Sequence, residues 1–252
     1  MALYLSVLLI LCALISYSCA YRPVVLVHGI MTGSGSMEMI SHRIQEKHPG
    51  TIVYNVNRFE GWSSLETMWH QVLEIGLDVA NISSKYPDGI NLIGYSQGGL
   101  LARGIIQTFP NVSVSTFISL SSPQAGQYGA GFLHVVFPGL VRETAYEFLY
   151  SRVGQHTSVG NYWNDPYHQT LYESYSVYLP YINNHLSQFG YYDANETIVE
   201  LKEQAIYTED RIGLRTLDES GRLHVVTVPG VNHFSWHMNV SVVDEYLLPF
   251  LD

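Results

Sequence analysis

Cysteine is almost absent from this chain of 252 residues: Cys12 and Cys19 are the two present, and both fall within the first twenty positions. Once that segment is removed on export, no thiol and no disulfide remain, which excludes a thiol nucleophile and a cysteine-based metal site. Basic residues are scarce as well. Twelve Lys and Arg against 22 Asp and Glu leave a net charge of -10, with no cationic cluster to hold nucleic acid or an anionic membrane surface. Charge is missing altogether from Met1 to Ala20, which is apolar from Leu3 to Ile15 and ends Ser18-Cys19-Ala20. Small residues at those positions suit signal peptidase, so 1–20 reads as a signal peptide and 21–252 as the mature domain. The lack of a positive n-region leaves an uncleaved anchor as the alternative, although the run is short for a membrane span. Sequons at Asn81, Asn111, Asn195 and Asn239 point to a glycosylated protein of the secretory route. Many of the eleven histidines would gain charge in an acidic compartment and reduce the negative excess.

What the chain does contain is centred on Ile90 to Leu101. Ile90-Asn-Leu-Ile93 reads as a short buried strand and Leu100 to Ile106 as an apolar helix. Between them Gly94-Tyr95-Ser96-Gln97-Gly98 fits G-x-S-x-G. Such an elbow forces the backbone through a tight turn, so its neighbours must be small, and it presents the serine hydroxyl above the sheet at a helix N-terminus. Ser96 is therefore the candidate nucleophile, and a serine needs a base within hydrogen-bond reach.

Elements before and after the elbow alternate. Pro23 to Val27 is a continuous apolar run suited to a central parallel strand, and His28-Gly29-Ile30 leaves its C-terminal end. The backbone N–H groups of Ile30 and Gln97 are the candidate oxyanion donors. A helix over about Ser36–Glu46, a strand Thr51–Tyr54, a helix following the Ser63/Glu66 capping-box spacing and a strand Thr116–Leu120 complete a doubly wound, mostly parallel α/β sheet. From about 121 to 185 the alternation stops and tyrosines crowd the chain. That insertion would cap the nucleophile's edge of the sheet, where its aromatic side chains could line an acyl-chain site or simply form a core of their own. A helix near Thr197–Ala205, a turn at Asp218–Gly221, a strand Leu223–Val228 and a closing helix Val242–Phe250 follow. The loop after that last strand carries His233, where the general base of a Ser…acid…His order belongs, with His237 as its competitor.

Longer motifs add a resemblance. Gly94-Tyr-Ser-Gln-Gly-Gly99, Phe117-Ile-Ser-Leu-Ser-Ser-Pro-Gln-Ala-Gly-Gln-Tyr128, Asn161-Tyr-Trp-Asn-Asp-Pro166 and Tyr207-Thr-Glu-Asp-Arg-Ile-Gly-Leu214 closely resemble the lysosomal palmitoyl-protein thioesterases, most of all the second type. The resemblance spans Tyr21 to Asp252. It implies an α/β-hydrolase fold, a lysosomal address (with secretion as the alternative), a fatty-acyl thioester substrate and no cofactor or metal. It also implies an acyl-enzyme formed at Ser96 with His233 as base.

One departure stands out. In that family a strand and the triad aspartate precede the segment that begins here near Leu186, whereas here His185 runs directly into it. Between Ser121 and Arg222 no apolar strand run ends in an acid at a crevice position, and Asp165, Asp193 and Asp210 have the wrong context. The triad acid is left unassigned. Its loss typically costs about 10⁴ in turnover through the wrong histidine tautomer. Loss of the strand also leaves Leu223–Val228 without a neighbour, forfeiting several ladder hydrogen bonds at about 1 kcal/mol each.

Overall fold

The computed structural model describes residues 21–140, 144–184 and 199–251. The expected signal segment, the sequon at Asn195, Asp193 and the His185–Leu186 junction lie outside them. Strands β1 (Val24–Val27), β2 (Val53–Asn55), β3 (Ile90–Tyr95) and β4 (Val114–Leu120) form one parallel sheet in the order β2-β1-β3-β4. β1 is wholly buried, as its unbroken apolar run requires of a central strand flanked on both faces. Its side chains alternate between two cores. Val25 and Val27 join Leu92, Val72, Ile75 and Leu100 on one face, and Val24 and Leu26 join Ile93, Ile40, Ile44 and Val243 on the other.

Helix α1 (Glu38–Lys47) and the C-terminal turns from Val240 cover the second face, while α2 (Met68–Ser83) and α3 (Gln97–Thr108) cover the first. A bidentate pair from Arg43 to Asp244, at 2.6 and 2.5 Å, clips α1 to the closing segment. The chain turns outward in opposite directions from β1 and β3. Their C-terminal ends therefore flank the switch point at which open α/β sheets bind ligands.

Three expected elements come out differently. Leu223–Val228 joins no sheet and forms no regular element, and Val225 is 64% exposed. An isolated strand has nowhere to spend its N–H and C=O groups, and β4 ends the sheet among the described residues. The Ser63/Glu66 capping box does not form. Ser63 Oγ instead donates to Glu60 O within a 3-10 turn, Gly61–Leu65, and Glu66 is already extended before α2 begins. The helix expected near Thr197–Ala205 is, in its described part, a 3-10 turn Leu201–Glu203 and a separate helical turn Ala205–Thr208, parted by the extended Gln204.

The stretch after β4 folds into short helices: α4 (Ala130–Val136), α5 (Ala145–Leu149), α6 (Ser158–Tyr162), α7 (Gln169–Tyr175) and α8 (Leu179–Ile182). Tyr162, Trp163, Tyr172 and Tyr178 are fully buried in the first core, packed with residues of the sheet and of α2 and α3. Tyr178 donates to Leu100 O at 2.9 Å, and its hydroxyl occupies the space beside Gly104. Arg103 on α3 reaches from Gln124 at the start of the cap to Ile182 O and Asn183 Oδ1 at its end. Burial pushes this guanidinium down to about 10, still charged at neutral pH, and carbonyl and amide oxygens satisfy it.

Candidate active site

The elbow is built by two close approaches that tolerate no side chain. A Cβ on Gly98 would stand 2.2 Å from Val27 O, and one on Gly94 would stand 2.4 Å from Gly98 O. Glycine at both positions thus lets α3 settle onto the ends of β1 and β3. The turn between them drives Ser96 to φ 53°, ψ -124°, a region that L-residues rarely adopt. Ser96 is 5% exposed, and its N–H is held by Leu120 O at 2.9 Å.

Across the crevice, His233 Nε2 lies 3.0 Å from Ser96 Oγ. No strand leads into this histidine, so other contacts aim it. Val231 and Trp236 pack on the second core, Asn232 caps the turn by accepting from Phe234 N and Ser235 N, and Tyr95 donates its hydroxyl to His233 O at 2.8 Å. Burial holds the His233 pKa below its usual 6.5. His237 makes no hydrogen bond to the serine. Its ring lies 4.1 Å from that of Tyr95, Nδ1 has no partner among the described residues, and burial followed by the charge of His233 lowers its pKa.

Gln97 opens α3, where the first N–H groups have no intrahelical acceptor. Ile30 stands on the loop after β1, and that loop presses on the elbow closely enough that a Cβ on Gly29 would meet Ser96 Cβ at 3.1 Å. Sequence reasoning missed what braces this loop. Ser64 Oγ accepts from Met31 N at 2.7 Å, while Ser64 O accepts from the side chains of Gln97, Gln71 and Ser158. One serine on a 3-10 turn thus ties the β1 loop, the elbow and the cap together, and its surroundings in sequence carry no motif that would mark it.

No carboxylate among the described residues hydrogen-bonds to His233. Asp165 is buried but accepts from Tyr167 N and faces His168 at 3.0 Å, and Asp210 caps Arg215 and Thr216. The atom beside His233 Nδ1 is Ser121 Oγ, at 2.9 Å. Of the sequons, Asn81 and Asn111 are exposed, while Asn239 is half-buried and accepts from Ser241 N as a helix cap.

A parallel sheet wound on both faces, a strained serine elbow after a central strand and a histidine at hydrogen-bond distance define an α/β-hydrolase. The fold is shared, at a TM-score of 0.52 and 15% identity, with a lipase-esterase related protein from Clostridium acetobutylicum, covering 91% of this chain and 94% of that one. The profile of the family described as palmitoyl protein thioesterase matches residues 23–188 and 185–233, and the chain belongs to that family. It is 46% identical to the lysosomal thioesterase PPT2 homolog of Drosophila melanogaster, over 99% of each chain. It is 37% identical to the human lysosomal thioesterase PPT2, covering 97% of this chain and 92% of the relative. The Drosophila alignment runs over 284 positions against the 252 residues here, so about thirty positions find no counterpart in this chain. The family match breaks at residues 185–188, the junction at which the expected strand and acid are missing.

Proposed function

We propose that this chain is a lumenal serine thioesterase that hydrolyses fatty-acyl thioesters, palmitoyl-CoA or S-acylated cysteine among them, at Ser96. The observation that carries the reading is the 3.0 Å approach of His233 Nε2 to a buried, strained Ser96, in a chain that belongs to a thioesterase family. Ser96 attacks the thioester carbonyl while His233 takes its proton. The N–H groups of Ile30 and Gln97 receive the charge that forms on the carbonyl oxygen. The imidazolium returns its proton to the leaving thiolate, and water activated by the same histidine releases the fatty acid. The names of the relatives, the leading apolar segment and the exposed sequons at Asn81 and Asn111 support a glycosylated lysosomal protein. No helix among the described residues is long and apolar enough to cross a membrane.

The test is palmitoyl-CoA hydrolysis by the glycosylated, secreted chain against Ser96→Ala, with fluorophosphonate labelling of both. Turnover and labelling that vanish together in the variant are the expected result. A wild type that folds cooperatively yet neither labels nor turns over would refute it. That no carboxylate among the described residues reaches His233 favours a second reading, a binder of acyl thioesters without turnover. Saturable binding of palmitoyl-CoA with no product over hours would select that reading.

A further inference from the structure

We infer that Ser121 is the positioning residue of this site: its hydroxyl, in place of a carboxylate, accepts the Nδ1 proton of His233 and so leaves Nε2 free to act as base toward Ser96. The inference rests on the thioesterase reading for its kinetic consequences, although the hydrogen bond itself does not depend on it. The sheet register supplies the geometry. Tyr95 of β3 pairs with Leu120 of β4, and the residue after each is a serine, Ser96 and Ser121. The N–H of Ser96 is bound to Leu120 O at 2.9 Å, so the two hydroxyls leave adjacent strand ends on a shared rigid frame. Both serines have positive φ, 53° for Ser96 and 47° for Ser121. Two strained residues at paired positions turn their side chains toward one crevice. His233 bridges them, with Nε2 3.0 Å from one oxygen and Nδ1 2.9 Å from the other.

A neutral imidazole exists as two tautomers, and only the form protonated at Nδ1 can take a proton at Nε2. A carboxylate selects that form outright because it can only accept. A hydroxyl can accept or donate, so it selects less strongly, yet once His233 becomes an imidazolium Ser121 Oγ must accept. Among the described residues, the other titratable groups facing His233 are Tyr95 from β3 and His237 from its own loop, and neither contributes negative charge at neutral pH. Ser121 therefore orients the base without lending it charge. Replacing this hydroxyl with a carboxylate would supply what is missing.

The experiment compares wild type, Ser121→Ala, Ser121→Thr, Ser121→Asp and Ser121→Asn as full secreted chains. Ser121→Ala should lower kcat by about tenfold or more with KM unchanged, and Ser121→Thr should restore it. Ser121→Asp should raise kcat and move the acid limb of the pH profile to higher pH, whereas the uncharged Ser121→Asn should not move the limb. Nitrogen NMR of His233 provides a readout that needs no turnover. The wild type should hold its proton mainly on Nδ1, and Ser121→Ala should shift the population toward Nε2. An unchanged tautomer ratio in Ser121→Ala, or wild-type kcat and pH limb across the series, would overturn the role of Ser121. An inert wild type with the expected tautomer shift would instead count against the thioesterase reading and leave the positioning role supported.

Discussion

Gly98→Ala probes the packing on which the whole site rests. An added Cβ would lie 2.2 Å from Val27 O and 2.5 Å from His28 O, both backbone atoms of the central strand and its loop. Restoring ordinary contact at 3.4 Å or more requires α3 or the β1 loop to retreat by at least about 1 Å. No rotamer can absorb this, since neither partner is a side chain. Gln97 rides on α3 and Ile30 on the loop, so the retreat separates the two N–H groups assigned to the oxyanion. Loss of one such donor costs about 10²–10³ in kcat, or roughly 3–4 kcal/mol of transition-state stabilisation. Overpacking should cost a further ~1–3 kcal/mol in stability. Gly99→Ala is the control within the same motif. Its Cβ meets Ser122 Cβ and Oγ at 2.7 Å, beyond β4 rather than on the β1 loop, so this clash does not bear on Ile30. The assay is palmitoyl-CoA turnover with thermal melts on wild type and both variants, and Gly98→Ala should lose far more kcat than Gly99→Ala. A folded Gly98→Ala enzyme with wild-type kcat would show that the close approach does not set the oxyanion geometry.

Four further outcomes are expected. Asn91 is fully buried in β3, and neither side-chain polar atom has a partner among the described residues, so Asn91→Val should stabilise the fold by about 1 kcal/mol or more, seen as a rise of roughly 2–4 °C in Tm; an unchanged or lower Tm would reveal a partner. Because burial lowers the His233 pKa below 6.5, the base stays neutral into mildly acid solution and the acid limb of kcat/KM should lie below pH 6.5, with a limb near 7 counting against this. The same sign governs stability: the unfolded chain protonates His233 and His237 as pH falls through about 6.5 while the folded chain resists, so the stability they contribute is present above that pH and lost on acidification below it, which melts across pH 5–7.5 would follow. Finally, Val225→Thr and Val226→Thr should change stability by no more than about 0.5 kcal/mol in urea titrations, since both side chains are exposed and no strand is present to disrupt; a loss of 1 kcal/mol or more would mean that the segment is paired.

The parts of the fold legible in the sequence were those whose signal is local. An unbroken apolar run at Val24–Val27 can satisfy itself only in the middle of a sheet, and Gly94, Ser96 and Gly98 at fixed spacing require a tight strand-to-helix turn. Leu223–Val228 has the same strand-like composition, yet it is not a strand. Strand pairing needs a neighbour, and among the described residues no strand pairs with it. The aromatic cap was equally ambiguous from composition. Burial of Tyr162, Trp163, Tyr172 and Tyr178 makes those rings core rather than a substrate wall.

By itself, then, the sequence determined the serine elbow, the parallel run of the first four strands and the lack of a recognisable triad acid, because each is written in local patterns along the chain. Tertiary structure brings His233, the base the sequence favoured, within hydrogen-bond reach of Ser96, and it alone decided that Ser64 braces the β1 loop and that Ser121 occupies the place beside Nδ1. Those contacts join residues 137, 33 and 112 positions apart in the chain. Distances of that kind are set by the register of β3 on β4 and by packing on the second core, neither of which any local pattern of residues encodes.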